Sequence, residues 1–345
     1  MATYNLALIG FGYVGRTFHA PLIQASDRLQ LHTIVSRQQD VAQAHPNARI
    51  TADRSQALRD PLIDAVVIAT PNDTHASIAL EALAAGKHVL VDKPFTLDLS
   101  QARSVAEAAR RAGRVVSVFQ NRRWDGDFLT VRRLIDDNVL GAVAEFHSHF
   151  DRHRPQVRPR WRESDVPGAG LWFDLGPHLL DQALCLFGRP QAISADLARQ
   201  RPGARSDDYF DVTLHYPQLR ARLHAGSLVA DASLRYAVHG TQGSYLKQGL
   251  DTQEAMLRNG QAPGAPGWGE DPLDGWLTLI DDAGQTHREP VPTQSGDYRR
   301  CYAAFADALD GQGEGPVTLG EALQVMELVE QGSRSAAEGR VLALD

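Results

Sequence analysis

The sequence predicts an α/β protein of two parts: a doubly wound parallel sheet, then an α/β domain with a large, mainly antiparallel open sheet. Three observations predict it. Short apolar runs alternate with helix-like stretches over residues 1–120, the rhythm of a parallel sheet covered on both faces. The first of these runs leads straight into a glycine triad. After residue 120 the pattern changes to longer strands separated by turn signals. The domains are therefore placed at 1–120 and 121–345, with the terminal helices able to pack back on the first domain.

The frame agrees. A chain of 345 residues exceeds one compact core. A net charge of −7 argues against nucleic acid or an anionic membrane as the partner. Two cysteines, Cys185 and Cys301, cannot build a disulfide framework and read as buried thiols. No run approaches ~18 apolar residues, and the start lacks a secretory pattern. A cytoplasmic protein is expected.

Tyr4 to Ile9 is a strand-sized apolar run that continues into Gly10-Phe11-Gly12-Tyr13-Val14-Gly15. Glycine is needed first for the tight turn, second for backbone approach to a pyrophosphate, and third for close helix packing. With a strand before and a helix after, the motif marks a Rossmann dinucleotide site. Leu29 to Val35 is the next strand. It ends in Ser36-Arg37-Gln38-Gln39 and not in an acid. An acid there would hold a ribose 2′-hydroxyl, whereas a serine with an arginine suits a 2′-phosphate. NADP is thus favoured over NAD.

Asp64 to Thr70 is a buried type of strand, and Pro71-Asn72-Asp73-Thr74-His75 turns from it, with Asp73 as the expected helix N-cap. A helix to Ala85 stops at Gly86. Val89, Leu90 and Val91 then form a short apolar strand, and Asp92-Lys93-Pro94 sits just past its carboxyl end. Open α/β sheets place their ligand chemistry there. A helix from Asp98 to Gly113 and a strand from Val115 to Phe119 complete the domain.

In the second domain a helix is expected from Phe128 to Asp137. Strands are expected at Val143–Arg152, Ala192–Gln200, Tyr209–Tyr216, Ala221–Leu228 and Tyr236–Val238. Asn259 to Gly269 is rich in Pro and Gly and reads as a loop, and helices close the chain at Tyr298–Leu309 and Leu319–Glu338. Asp174 and His178 are four apart, so a helix puts them on one face. A carboxylate beside an imidazole suits general acid/base work. Gly176-Pro177 between them predicts a helix start or a kink. His147, His149 and His153 invite a zinc reading, which Asp174 and His178 could join. No cysteine or second ligand motif accompanies them, so no metal is expected.

These motifs together resemble the glucose–fructose oxidoreductase/inositol dehydrogenase/rhizopine catabolism (Gfo/Idh/MocA) superfamily over essentially the whole chain. The glycine triad, Asp92-Lys93-Pro94 (with Asp where Glu is usual), and Asp174 with His178 carry the likeness. Thr17-Phe18-His19-Ala20-Pro21-Leu22, Asn121-Arg122-Arg123-Trp124-Asp125 and Asp151-Arg152-His153-Arg154-Pro155 point to the NADP-dependent scyllo-inositol dehydrogenase subgroup. So do Trp161-Arg162-Glu163 and Asp208-Tyr209-Phe210. The resemblance implies hydride transfer between a secondary alcohol of a cyclic polyol or sugar and NADP. It implies Lys93, Asp174 and His178 as catalytic residues. Cofactor contacts would come from Thr70, Pro71, Asn72, His75, Asp92, Lys93, Trp161 and Arg162 in addition to the turn, Ser36 and Arg37. Substrate contacts would come from Arg122, Arg152, His153 and Tyr209 with the catalytic trio. A homo-oligomer, dimer or tetramer, through the second-domain sheet is also implied. The alternative is a non-catalytic NADP-sensing protein on the same fold, which would have no need of that trio.

Overall fold

The computed structural model describes residues 2–231 and 233–344. The strands are β1 Tyr4–Ile9, β2 Leu29–Val35, β3 Arg49–Thr51, β4 Ala65–Ile68, β5 His88–Asp92, β6 Val116–Phe119, β7 Val143–His149 and β8 Ala192–Ala198. They continue with β9 Tyr209–His215, β10 Arg220–Gly226, β11 Leu234–Gly240, β12 Gly243–Gln248, β13 Gly275–Ile280, β14 Thr286–Val291 and β15 Leu342–Ala343. The chain divides into two compact units. The first is Met1–Trp124, Gln253–Trp268 and Asp297–Met326; the second is Asp125–Thr252, Gly269–Gly296 and Glu327–Asp345.

The first unit holds a six-stranded sheet in the order β3-β2-β1-β4-β5-β6, all pairs parallel. Its central strands read as unbroken apolar runs because both faces are covered. On one side Ile9, Ile68, Val89 and Val91 pack with Leu83, Val105 and Met326. On the other, Leu8, Val67 and Leu90 pack with Phe18, Leu22, Tyr302 and Phe305. Each such side chain contributes roughly 1.5–3 kcal/mol on burial, so β5 delivers Asp92 and Lys93 from a rigid base. The order reverses between β1 and β4, which is where doubly wound sheets bind ligands. Asp98 caps its helix by accepting from the Gln101 N–H (2.8 Å), and Gly113 closes it in the left-handed region. Asp73 is not a cap. It lies inside a 3₁₀ turn, Asn72–Thr74, and the helix His75–Ala84 starts without a side-chain cap because the turn already supplies its bonds.

The second unit holds nine strands in the order β14-β13-β12-β11-β7-β10-β9-β8-β15. Only β10 and β7 pair in parallel among the described residues. The helix Leu171–Phe187 lies against the sheet, with Trp172 edge-on to Phe210 (5.1 Å) and Phe187 edge-on to Phe146 (5.2 Å). Beneath it, Arg235 is bonded to Asp127 (3.0 Å), Ser148 and Gln182, all buried. Phe146, Ile193 and Leu223 are fully buried in this core, so they are not the open apolar surface that a subunit contact would need. Exposed apolar groups sit instead on the β12–β13 side: Leu246 and Trp276, which are cross-strand partners, and Ile280.

β12, β13 and β14 escape the sequence pattern for physical reasons. β12 buries a lysine, Lys247, against Asp271 at 2.9 Å, β13 opens on a glycine, and β14 is an exposed edge containing Pro290. No described helix is long and apolar enough to cross a membrane.

Candidate active site

In the first unit the glycine turn leaves β1 at Gly10, whose φ of +98° suits glycine. A Cβ there would meet the Ala69 carbonyl at 2.5 Å, and one on Gly15 would meet the Gly10 carbonyl at 2.4 Å. Gly12 has open space around it, which is what a backbone approached by a pyrophosphate requires. The turn therefore fits a dinucleotide. Phe11 is buried beneath the Arg16 guanidinium, 5.0 Å from its ring centroid. Tyr13 is exposed and its hydroxyl donates to Glu254 (3.1 Å), while Val14 is half-buried.

At the end of β2, Ser36 Oγ accepts from the Gln38 N–H (3.1 Å), and Arg37 is exposed. A second guanidinium belongs to the same corner: Arg16 pairs with Asp40 (2.9 Å) and donates to Gln38 (2.7 Å). Arg16 follows the third glycine directly, which was its available signal in the sequence.

Beyond β4, Thr70 Oγ1 accepts from Thr74 (2.7 Å), and Asn72 is buried behind Pro71. β5 ends at Asp92, 4% exposed, and half-buried Lys93 follows, joined to Pro94 by a cis peptide bond. His75 was expected at the cofactor. It is fully buried, with Nδ1 2.8 Å from the Pro94 carbonyl and Nε2 3.0 Å from the Thr70 carbonyl. Both ring nitrogens lie against backbone carbonyls, so the buried ring belongs to the turn. His19, which sequence reasoning placed only in a family motif, lies behind this turn. Its Nδ1 is 2.7 Å from the Tyr302 hydroxyl and its Nε2 is 3.9 Å from Asp92. Burial pushes its imidazole down to about 4, against the opposing pull of Asp92. Arg122, expected at substrate, is instead 7% exposed and paired with Glu254 (2.8 Å), within the first unit.

In the second unit the helix Leu171–Phe187 carries Asp174 in its first turn and His178 one turn on. Gly170 precedes it at φ +98°. The Leu171 and Trp172 N–H groups donate to the Asp207 carbonyl (2.8 Å) and carboxylate (2.6 Å). Burial pushes the Asp207 carboxyl up to about 6, although those N–H groups favour its charged form. Gly176 lies under the Trp172 ring, where a Cβ would approach to 2.5 Å. The dipeptide Gly176-Pro177 is thus accommodated inside a continuous helix, and the helix starts earlier, at Leu171.

Asp174 is partly exposed and lies 3.6 Å from Arg162 Nε, while His178 is 4% exposed. A concavity joins Asp174 and Arg162 to Arg152, Arg154 and Phe150. Arg162 also lies over Trp161 (4.4 Å) and Arg152 over Phe150 (4.8 Å). Burial, with Arg152, Arg158 and Arg160 nearby, pushes Arg154 down to about 10. Such a pocket offers fixed donors to an oxygen-rich ligand, with the Asp174 carboxylate on its wall.

Tyr209 and His153 do not join this group. Phe210 faces the helix, so Tyr209, one residue earlier on β9, faces the opposite way and meets His224 (ring centroids 5.3 Å). His153 is exposed and bridges to Leu228.

Comparison with known proteins places the chain. Residues 4–120 match the family described as "Oxidoreductase family, NAD-binding Rossmann fold". Residues 132–344 match "Oxidoreductase family, C-terminal alpha/beta domain". The chain is 51% identical to the uncharacterized oxidoreductase YdgJ of Escherichia coli K12, over 99% of this chain and 98% of the relative. It is 35% identical to the scyllo-inositol 2-dehydrogenase (NADP(+)) IolW of Bacillus subtilis 168, over 99% and 96%. A solved oxidoreductase from Bacillus cereus superposes with a TM-score of 0.92 at 34% identity, covering 99% of each chain.

Proposed function

The chain belongs to the Gfo/Idh/MocA oxidoreductase family, and from that premise we propose that it is an NADP-dependent polyol or sugar dehydrogenase. The substrate class is a cyclic polyol or sugar resembling scyllo-inositol, oxidised at a secondary alcohol. The observation that carries this reading is the retention of Lys93, Asp174 and His178 in structured positions: one just past β5, the others on one helix face. The similarity to a scyllo-inositol 2-dehydrogenase (NADP(+)) supports the substrate class and the cofactor.

NADP, when bound, supplies the hydride acceptor. His178 takes the proton of the substrate hydroxyl, with Asp174 orienting its ring, and Lys93 stabilises the developing alkoxide and passes the proton on. Arg152 and Arg162 hold hydroxyls or the cofactor's amide end. Gly10 to Gly15 hold the pyrophosphate. Arg37, with Arg16 beside it, holds the 2′-phosphate, and no acid directly follows β2 to repel it.

The protein also assembles, in this reading, as a homo-oligomer through the second unit's sheet. The deciding experiment is absorbance at the NADPH band on mixing protein with NADP or NAD and a panel of inositols and aldoses. Turnover with a cyclic polyol or sugar supports the proposal. Tight NADPH binding without turnover on any member supports the sensor reading instead.

A further inference from the structure

We propose that His149, Asp151 and His224 form a binding site for one divalent transition-metal ion of the zinc class, on the sheet of the second unit. The argument starts from strand pairing. β10 runs parallel to β7 with His224 in register with His149. The ladder continues past the end of β7, with the Phe150 N–H donating to His224 O (2.9 Å) and the Arg152 N–H to Gly226 O (3.0 Å). Residues two apart share a face, so Asp151 stands beside the two histidines. This is the face opposite the helix that carries Asp174 and His178, so the site is independent of the hydride chemistry.

One ligand atom from each of the three residues lies within 4.8 Å of the others. His149 Nδ1 is 3.2 Å from Asp151 Oδ2, and His224 Nδ1 is 2.9 Å from Oδ1. Metal–ligand bonds of ~2.0–2.2 Å put ligand atoms roughly 3–3.5 Å apart around a tetrahedral ion, so each imidazole–carboxylate spacing already matches that range. Oδ1 already accepts from the Gly226 N–H (2.9 Å). His224 Nδ1 is buried and, despite its distance from that oxygen, is not aligned for a hydrogen bond. With the proton on Nε2, that nitrogen would offer its lone pair to a cation. Two imidazoles and one carboxylate are the donor set of zinc-type ions, with a fourth position left for water. An ion here would pin β7 to β10.

The test uses the full-length protein after chelator treatment, titrated with zinc chloride in a calorimeter and with Co²⁺ followed by visible absorption. We expect one equivalent bound with Kd below about 1 µM and the intense Co²⁺ bands of a tetrahedral site. His224→Gln and Asp151→Asn should weaken binding by about 100-fold or more, whereas His147→Gln, His287→Gln and Cys185→Ser should leave it unchanged. Sub-stoichiometric or much weaker binding would show a hydrogen-bonded triad only, and binding unaffected by His224→Gln would place the ion elsewhere. Either result overturns the proposal. Should a ligand variant misfold, X-ray absorption of the zinc-loaded wild type decides. Two imidazole shells with an oxygen donor support the site, and a sulfur shell near ~2.3 Å rejects it.

Discussion

His75 Nδ1 lies 2.8 Å from the carbonyl oxygen of Pro94, the residue that follows Lys93. Its other nitrogen reaches the Thr70 carbonyl at 3.0 Å, so one buried ring ties together the loops that leave β4 and β5. His75→Ala removes both contacts and opens a cavity, which should cost about 2–4 kcal/mol of stability. With the turn loosened, kcat should fall roughly tenfold while NADP affinity changes little. Urea unfolding and steady-state turnover check this. A variant that is destabilised yet turns over normally would show that the clamp serves the fold alone.

Cofactor choice rests on the corner after β2. Arg37→Ala should lower NADP affinity roughly ten- to a hundredfold and leave NAD affinity nearly unchanged, since a charge-assisted hydrogen bond contributes ~1.5–3 kcal/mol. Arg16→Ala should have a smaller effect of the same sign, because Arg16 already pairs with Asp40. Fluorescence titration with both dinucleotides measures it. Equal losses for NADP and NAD would assign Arg37 to the fold.

Buried His19 predicts a pH dependence of stability. Its imidazole is held at about 4 against an ordinary 6.5, chiefly by burial. Between those values the unfolded chain binds a proton that the folded chain does not. Stability is therefore fully present above about pH 6.5 and is lost as pH falls toward 4, by about 3 kcal/mol in all. Asp207, held up near 6, acts in the opposite sense below that pH, so a variant isolates the histidine. Urea unfolding of wild type and His19→Gln at pH 7.5, 5.5 and 4.5 should show a shallower decline in the variant. Parallel declines would refute the assignment.

Much of this was legible in the sequence where one force dominates. β1, β4 and β5 are buried on both faces, so they announce themselves as apolar runs, and Gly10 is required by a positive φ that few other residues adopt. β12 was illegible because Lys247 takes a core position by pairing with Asp271, a partner 24 residues away. The facing of Tyr209 was illegible because a motif gives no phase: whether it or Phe210 faces the helix depends on the register of the whole sheet. The pairing of Arg122 was illegible because Glu254 enters the first unit from a distant segment.

Assembly is expected through the exposed side of the β12–β13 pair. Leu246 and Trp276 face each other there at 40% and 43% exposure, with Ile280 at 58%. Adjacent exposed apolar groups of this size mark contact surfaces. Leu246→Glu should shift light-scattering mass toward the monomer at micromolar concentration, with no loss of secondary structure by circular dichroism. A wild type that is strictly monomeric over that range would remove the expectation.

The chemistry separates enzyme from sensor most directly. Lys93 is tethered past β5, on a strand buried on both faces, and His178 is fixed on a helix whose start is capped by Asp207. Neither residue lies in the glycine turn that would hold the pyrophosphate. General acid/base groups contribute about 10²–10⁴-fold, so Lys93→Met and His178→Ala should each lower kcat by about that factor with NADP binding nearly intact. The double variant should lose far less than the product of the two factors, because groups that act on one proton are not additive. Asp174→Asn should reduce kcat less than His178→Ala, since it orients the ring and does not take the proton. Stopped-flow hydride transfer beside cofactor titration in each variant makes the comparison. Near-normal turnover in His178→Ala with a collapse in Asp174→Asn would transfer the base to Asp174, and normal turnover in Lys93→Met would remove the lysine from the proton path.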